Sequence, residues 1–312
     1  MPKKLLITGG AGYVGSKLIP HLLNLNFNVT VIDNLLFGGD HLLNFMSYKN
    51  FNFIKCDIRD LHALKKVKFK DFEFIIHLAS IVGYPACRSD PETAKTTNIN
   101  GTANLLKLIS KDQSIIFAST GSNYGKKTQI VNENSKLEPL SLYAETKVIN
   151  EKQISKHNNF IIYRFATAFG SSARMRLDLL VNDFAYKSMR EGYLVVYEKD
   201  HQRSFIHVND MAEAIMFGIN NFKKLKNDVF NVGDDQMNYS KEQICNLLKN
   251  KIKNLYVHFA EFDKDIDQRN YIVSYKKLNK LGFKTKINMN DGIDDLIKSF
   301  KLLNKNKNYS NV

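Results

Sequence analysis

The chain has 312 residues, and its 45 Lys and Arg against 31 Asp and Glu give a net charge of +14. This length permits one large domain or two closely packed domains around a buried core. No apolar stretch approaches the roughly 20 residues that cross a bilayer, and Met1-Pro-Lys-Lys leads directly into the first apolar run. We therefore expect a cytoplasmic protein that does not enter a membrane.

Three cysteines, Cys56, Cys87 and Cys245, lie far apart in the sequence without a C-x-x-C pair. This spacing indicates neither a disulfide framework nor a zinc site, so we expect no bound metal. The lysines are spread over many predicted helix faces and mix with Asn and acidic residues, instead of forming a stripe interleaved with aromatics. We expect no nucleic-acid partner and attribute the charge to solvated surface and to attraction for a phosphorylated substrate; nucleic-acid binding is the alternative.

The first predicted element is a short strand, Leu5–Ile7, followed by the sequence T-G-G-A-G-Y-V-G and a segment with helical periodicity. The spacing Gly10-x-Gly12-x-x-Gly15 between a strand and a helix is typical of a turn that holds a dinucleotide pyrophosphate. The free N–H groups and the dipole of a helix N-terminus favour an anion, and glycine lets the backbone approach it closely. The sequence predicts a phosphate-bearing ligand here, with an ordinary tight turn as the alternative.

A second predicted strand, Asn28–Asp33, ends in a carboxylate. An acidic side chain at this position can accept hydrogen bonds from both hydroxyls of a ribose, and it would repel a 2′-phosphate. Asp33 therefore favours NAD over NADP as the cofactor, unless it is only a strand-end cap.

Four more strand-like runs follow, separated by amphipathic or polar segments: Phe51–Lys55, Phe72–Leu78, Ser114–Ala118 and Phe160–Phe165. Alternating strands and helices imply right-handed crossovers, so we predict an α/β fold with a Rossmann-type doubly wound parallel sheet. A long helix over Thr97–Ile109 is expected to pack against this sheet.

After Ala166 the alternation fades into longer connections, with helices expected near Leu177–Glu191, Asn209–Asn220 and Lys241–Asn250. We predict an NAD-binding domain over residues 1–165 and a smaller mixed α/β substrate-binding lobe over residues 166–312, with some exchange of segments between the two. The stretch from Asn304 to the end is predicted to be a frayed polar tail.

The candidate catalytic residues are Tyr143, Lys147 and Thr120. The sequence Tyr143-Ala-Glu-Thr-Lys147 puts a phenol and an ammonium on one face of a helix. A nearby cation stabilises a phenolate, so Tyr143 can exchange the proton of a substrate hydroxyl while a hydride moves to or from a cofactor. Thr120 lies at the C-terminal end of the strand sequence Ile115-Ile-Phe-Ala-Ser-Thr120, at the sheet edge where ligands bind, and can orient the reacting oxygen. Taken alone, the Tyr143 and Lys147 pair would be a helix surface pair and Thr120 a turn cap.

These motifs together resemble the extended short-chain dehydrogenase/reductases, in the group of nucleotide-sugar epimerases and dehydratases. The resemblance implies tightly held NAD and oxidation at a sugar carbon, most often C4, by Tyr143, Lys147 and Thr120. Tyr143 and Lys147 would also contact the cofactor, together with the other cofactor-binding residues that the resemblance implies: Gly9, Gly12, Tyr13, Val14, Gly15, Asp33, Asn34, Asp57, Ile58, Leu78, Ala79, Ser80, Asn98 and Ser119.

In the second half of the chain, Arg203-Ser-Phe-Ile-His-Val-Asn-Asp210 resembles the R-x-F-I-H-V-x-D element of this family. The resemblance implies that Arg203 contacts the diphosphate of a nucleotide-diphosphate sugar substrate. It also implies substrate contacts of Thr120, Arg174, Arg176, Asn182 and Arg269. Arginine suits this task because its planar fork donates two hydrogen bonds to phosphate oxygens; a surface ion pair is the alternative for each.

The sequence departs from some members of the family. The 4,6-dehydratases carry Asp-Glu directly after the catalytic threonine, whereas Gly121-Ser122 follows Thr120 here, so elimination of water is not expected. The 3,5-epimerising reductases need a Cys and His pair; Cys87 has no matching histidine, and we interpret it as structural.

A 4-epimerase and a 4-dehydrogenase both remain open. The stretch from Arg164 to Phe184 resembles a bacterial branch that oxidises C4 of GDP-heptose for surface polysaccharide. A non-catalytic NAD-binding sensor or scaffold on the same fold is the alternative from a different class. The resemblance also implies a homodimer through the helices around Asn98–Ile109 and Tyr143–Lys156.

Overall fold

The computed structural model describes residues 3–127, 129–261, 272–303 and 309–311. The strands in these ranges are β1 (Lys4–Thr8), β2 (Asn28–Asp33), β3 (Phe51–Lys55), β4 (Phe74–His77), β5 (Ser114–Thr120), β6 (Phe160–Phe165), β7 (Thr167–Phe169), β8 (Tyr193–Tyr197), β9 (Gln202–His207), β10 (Asp228–Val232), β11 (Asn238–Ser240) and β12 (Tyr256–Ala260). The α-helices are α1 (Gly15–Asn24), α2 (Leu61–Leu64), α3 (Tyr84–Ser89), α4 (Pro91–Lys95), α5 (Thr102–Leu108), α6 (Leu142–Ile154), α7 (Leu180–Arg190), α8 (Val208–Asn220), α9 (Phe222–Leu225), α10 (Lys241–Lys251), α11 (Lys276–Lys280) and α12 (Met289–Phe300).

The main sheet has seven strands in the order β10-β6-β5-β4-β1-β2-β3, and every neighbouring pair is parallel. Helices cover both faces, so the predicted α/β fold with a Rossmann-type parallel sheet is confirmed. The six predicted strands correspond to β1 to β6, and the largest differences in a boundary are at the start of the fourth, Phe74 in place of Phe72, and at the end of the fifth, Thr120 in place of Ala118.

Burial on both faces explains the composition of these strands. Every residue of β4 and β6 is buried, so their sequences read as nearly continuous apolar runs. Alternate residues point to opposite faces: one face packs against α1 and α8, and the other against α5 and α6.

The second half of the chain contributes β10 to the edge of the main sheet, where it pairs with β6. It also forms two small sheets, β11-β9-β7 and β12-β8, packed with α7, α10 and α12 around a separate apolar cluster. Phe230 and Leu278 belong to the core of the main sheet, so the two halves share a core. The division into residues 1–165 and 166–312 stays a prediction.

The helix predicted over Thr97–Ile109 is longer than expected. The structure has a continuous helical segment from Pro91 to Leu108, in which a π-helical stretch, Thr96–Gly101, joins α4 to α5. The side chain of Asp90 caps its start by accepting a hydrogen bond from Thr93 N at 3.0 Å. The apolar periodicity that predicted the helix begins only at Thr97, because α4 is short and mostly polar.

The predicted frayed tail is wrong for residues 309–311. Leu177 N donates to the carbonyl oxygen of Tyr309 at 2.7 Å, and the Tyr309 ring packs against the smaller apolar cluster. Polar composition suggested fraying, but it does not reveal backbone partners elsewhere in the fold. Residues 304–308 and 312 lie outside the described part of the chain. Across the described ranges, no helix is both long and apolar enough to cross a membrane.

Candidate active site

A cleft runs along the carboxyl edge of the main sheet, where the strands β1 to β6 end. This is the edge at which open α/β sheets bind ligands. The predicted site residues that line this cofactor cleft are Gly9, Gly12, Tyr13, Val14, Gly15, Asp33, Asn34, Asp57, Ile58, Leu78, Ala79, Ser80, Ser119, Thr120, Tyr143, Lys147, Arg174 and Arg176.

The glycine-rich turn between β1 and α1 forms one wall of the cleft. A Cβ on Gly15 would lie 2.2 Å from the carbonyl oxygen of Gly10, and a Cβ on Gly9, whose φ is +73°, would lie 2.5 Å from Ala79 N. Within this turn Gly9, Gly12 and Gly15 line the cleft, whereas Gly10 packs against Val31 and does not line it. The lining glycines are therefore the three that the family resemblance named, in the spacing Gly9-x-x-Gly12-x-x-Gly15, and Gly10 of the spacing Gly10-x-Gly12-x-x-Gly15 is not among them. Its bare backbone at the start of α1 fits a pyrophosphate.

Asp33 lies beside this turn, at the end of β2. Its carboxylate accepts hydrogen bonds from Ala11 N at 3.0 Å and from Leu35 N at 2.8 Å, which fix its position beside the turn. Burial raises the pKa of Asp33 and these backbone donors oppose that effect. The fixed carboxylate fits the predicted contact with ribose hydroxyls.

Asp57 and Asn34 lie next to each other at the same end of the cleft. Asn34 Nδ2 donates to Asp57 Oδ2 at 3.0 Å, and Arg59 Nη2 donates to the same oxygen at 2.7 Å. Partial burial opposes ionisation, but the hydrogen bonds and charge of Arg59 lower the pKa of Asp57 to about 2. Asp57 is therefore a carboxylate at neutral pH.

The three candidate catalytic residues meet in the cleft. Lys147 Nζ lies 5.9 Å from the centre of the Tyr143 ring, one helical turn away on α6, and donates to the carbonyl oxygen of Ala118 at 2.9 Å. Burial lowers the pKa of Lys147 to about 8. Thr120 is the last residue of β5 and its Oγ1 donates to Ser122 Oγ at 3.0 Å. A phenol, an ammonium and two hydroxyls thus face the same space.

A buried ion pair that sequence reasoning missed supports this group from behind. Arg164 Nη2 donates to Glu151 Oε2 at 2.7 Å, and both side chains are at most 7% exposed. Glu151 Oε1 accepts hydrogen bonds from Ser119 Oγ at 2.5 Å and from Asn123 Nδ2 at 2.8 Å. Glu151 follows Tyr143 by eight residues and Lys147 by four, so the helical spacing that identified the first two could have identified it.

Three predicted ligand-binding residues do not line the cleft. Asn98 Oδ1 accepts from Ile81 N at 2.8 Å and Asn182 Oδ1 accepts from Gly170 N at 2.9 Å, and both side chains are fully buried. Their amides hold the loops that line the cleft, because loop backbone needs hydrogen-bond partners when it is buried. Arg203 is buried on β9 away from the lining, and Arg269 lies outside the described residues. Ligand contacts of these four stay predictions.

Arg174 and Arg176 line the opposite side of the cleft. Arg176 forms an ion pair with Asp178, and Arg174 Nη2 donates to Asn311 Oδ1 at 2.7 Å. Several lining residues were not predicted, because the loops and the short strand β7 that carry them have no sequence motif: Leu36, Phe37, Ala166, Thr167, Ala168, Leu179 and Asn311.

Cys87 is 1% exposed near the cleft, with its Sγ 3.4 Å from the carbonyl oxygen of Ile81. Burial raises the pKa of its thiol to about 11, which disfavours the reactive thiolate. Over the described ranges, no group of three or more His, Cys, Asp or Glu side chains could hold a metal ion.

A parallel sheet with a glycine-rich turn at the start of its first helix and an acid at the end of its second strand defines the class of Rossmann-type NAD-binding proteins. Residues 5–233 match the model of the NAD dependent epimerase/dehydratase family, and the chain belongs to that family. Its cofactor is NAD.

Similarity to several 4-epimerases agrees with membership of the epimerase/dehydratase family. The chain is 28% identical over 326 residues to a UDP-glucuronate 4-epimerase of Thermodesulfobacterium geofontis, covering 95% of this chain and 99% of the relative. It is 32% identical over 262 residues to UDP-glucose 4-epimerase 2 of rice, Oryza sativa subsp. japonica, covering 68% of this chain and 60% of the relative. The fold is similar to that of UDP-glucuronic acid 4-epimerase from Bacillus cereus in complex with UDP-glucuronic acid and NAD, with a TM-score of 0.85, 24% identity and coverage of 96% and 99%.

Proposed function

We propose that this protein is a 4-epimerase of a nucleotide-diphosphate sugar, which oxidises C4 of the sugar by hydride transfer to NAD and returns the hydride to the opposite face. The observation that carries the proposal is the convergence of Thr120, Tyr143 and Lys147 in one cleft with the glycine-rich turn and Asp33. The similarity to 4-epimerases of UDP-sugars supports this kind of reaction.

Each residue has a distinct part in the proposed reaction. NAD, when bound, supplies the hydride acceptor. Tyr143 takes the proton of the C4 hydroxyl and later returns it. Lys147 stabilises the phenolate of Tyr143 by its charge and donates to the ribose of the cofactor, while Thr120 holds the reacting oxygen in line.

The residues beside Thr120 argue against a dehydratase. Removal of water from neighbouring sugar carbons needs an acid and a base near the ring. Gly121 and Ser122 occupy the two positions after Thr120, and neither is an acid or a useful base at neutral pH. Oxidation and reduction at one carbon need no such pair.

A net 4-dehydrogenase is the second candidate, because the stretch Arg164–Phe184 resembles the branch that oxidises C4 of GDP-heptose for surface polysaccharide. In that case the keto sugar leaves and a second substrate reoxidises NADH. A sensor that binds NAD without catalysis is the remaining alternative; the presence of Thr120, Tyr143 and Lys147 in one cleft disfavours it, since a scaffold has no need of three groups placed for proton and hydride transfer.

The test incubates the purified protein with UDP-, GDP-, CDP- and dTDP-sugars, including UDP-glucuronic acid and GDP-heptose. The NADH absorbance band and the mass and stereochemistry of the sugar are followed together. A changed configuration with unchanged mass supports the 4-epimerase. Accumulated NADH with loss of two hydrogen atoms from the sugar would establish the dehydrogenase instead, and no turnover of any sugar while NAD stays bound would favour the sensor.

A further inference from the structure

Arg174 differs from the other arginine in the cleft in the charge of its partners. Arg176 has a carboxylate partner, Asp178. In the described part of the chain, the hydrogen bonds of Arg174 go to neutral oxygens, Asn311 Oδ1 at 2.7 Å and the carbonyl of Ser310 at 3.4 Å. Arg174 is 3% exposed, and its Nε is buried without a hydrogen-bond partner there. A buried cation without a paired anion is costly, so this side chain calls for an anionic ligand.

The position of Arg174 indicates which anion. Its guanidinium lies 4.4 Å from the centre of the Phe37 ring, in the loop that follows Asp33, and the negative charges that act on it are those of Asp178, which is paired with Arg176, and then of Asp33. This places Arg174 near Asp33, at the end of the cleft that would hold the adenosine and its phosphates.

The loop that carries Arg174 is fastened to the pyrophosphate-binding turn. Tyr13 Oη donates to the carbonyl oxygen of Gly170 at 2.6 Å, and Ser172 Oγ donates to the carbonyl oxygen of Tyr13 at 2.8 Å. Arg174 follows two residues later and lines the same cleft as this turn, so the loop holds the guanidinium near the turn.

We propose that Arg174 binds the diphosphate of NAD, on the side opposite the glycine-rich turn, and that the segment Tyr309–Asn311 holds its guanidinium in place and closes this side of the cleft. In this arrangement the turn supplies backbone N–H groups to one side of the diphosphate, and Arg174 supplies a fixed positive charge to the other side.

The segment Tyr309–Asn311 has the contacts that such a closing element needs. Asn311 Nδ2 donates to the carbonyl oxygen of Val82 at 3.0 Å, in the loop after β4. Leu177 N donates to the carbonyl oxygen of Tyr309. Asn311 thus bridges the loop after β4 and the loop that carries Arg174. In this proposal, release of the cofactor requires these bonds to open or the two loops to separate. The inference rests on the cofactor and not on the proposed sugar chemistry.

The test uses the full chain and the variants Arg174→Gln, Arg174→Lys and Asn311→Ala, with Arg190→Gln, on α7 away from the cleft, as the matched control. Affinities for NAD, ADP, adenosine and UDP are measured by calorimetry after removal of bound nucleotide. We expect Arg174→Gln to weaken NAD and ADP by about 10- to 100-fold, and to leave adenosine, which has no phosphate, unchanged. The lysine variant should recover part of the loss, and Asn311→Ala should show a smaller loss than Arg174→Gln.

Melting of the nucleotide-free variants separates binding from a structural role. Removal of a cation without a carboxylate partner should not lower the melting temperature of the nucleotide-free protein. A lower melting temperature with unchanged NAD affinity would assign Arg174 a structural role and overturn the inference. Unchanged NAD affinity with weaker UDP binding would assign it to the substrate, again against the inference, while leaving the proposed epimerase intact.

Discussion

Lys147 is the residue whose charge matters most for the proposed chemistry. Its Nζ lies 4.7 Å from the centre of the Phe117 ring and donates to the backbone carbonyl oxygen of Ala118. Burial lowers its pKa to about 8, and the negative charges that oppose this are those of Cys87, when ionised, and Glu151. His77 is nearby but neutral, because burial and the charge of Lys147 lower its pKa to about 3. Without ligands, Lys147 therefore loses its charge as the pH rises through about 8.

Glu151→Gln should move the alkaline limb of the activity profile to lower pH. The change keeps an oxygen that accepts from Ser119 and Asn123 but removes the negative charge that raises the pKa of Lys147. Lys147 then becomes neutral at lower pH, and the phenolate of Tyr143 loses its support. The measurement is kcat against pH, with Glu145→Gln, an exposed carboxylate on the same helix, as the control. An alkaline limb at the wild-type position would show that Glu151 has no electrostatic part in the reaction.

Tyr143→Phe should reduce turnover by about 10²- to 10⁴-fold, the usual contribution of a positioned acid or base. The cofactor should remain bound, because Asp33 and the glycine-rich turn are untouched. The measurement is kcat together with the NAD content of the purified variant. Activity near the wild-type level would remove Tyr143 from the role of acid and base.

At the scale of elements, the turn between β1 and α1 depends on contacts between its own backbone atoms. Gly15→Ala should destabilise the protein by about 1–3 kcal/mol and weaken NAD binding, because the new Cβ would lie 2.2 Å from the carbonyl oxygen of Gly10. Urea unfolding and NAD titration measure the two effects. Gly192→Ala is the control, since it has the backbone cost of a φ of +73° but nothing within 4 Å of its Cβ. If Gly15→Ala left NAD affinity unchanged, the turn would not be the pyrophosphate site.

The elements that local patterns encode were predictable, and those that depend on distant partners were not. The strands β1 to β6 were readable because each is a short apolar run, and their common carboxyl edge then placed Thr120, Tyr143 and Asp33 near one cleft. The spacing Gly10-x-Gly12-x-x-Gly15 alone did not include Gly9, which the family resemblance named and which faces Ala79 in the structure.

The partner of Arg174 was equally hidden from sequence reasoning. The contact with Asn311 joins residues 137 positions apart, across a loop whose course is fixed by bonds to Tyr13. The ion pair of Arg164 and Glu151 joins a strand to a helix, so it needs the packing of α6 on β5 and β6 before it can form.

At the scale of the whole molecule, we propose a homodimer through the helices around Asn98–Ile109 and Tyr143–Lys156. Ile149 is 38% exposed on α6, within the proposed interface. Ile149→Arg should shift the mass measured by light scattering towards the monomer, because it places a charge in an apolar contact. Leu25→Arg, at the end of α1 and 58% exposed, is the control that should leave the mass unchanged. A monomeric wild-type chain would contradict the proposal.

The edge position of β10 has a consequence for the order of events during synthesis. Until residue 232 has left the ribosome, β6 has a neighbour on one side only, and all of its side chains are apolar or buried in the finished fold. An unpaired, apolar strand edge is a template for association with other chains. While residues from about 165 to 232 are being synthesised, the first half of the nascent protein therefore exposes the unpaired edge of β6. In the finished fold this edge is covered by β10, which belongs to the later segment.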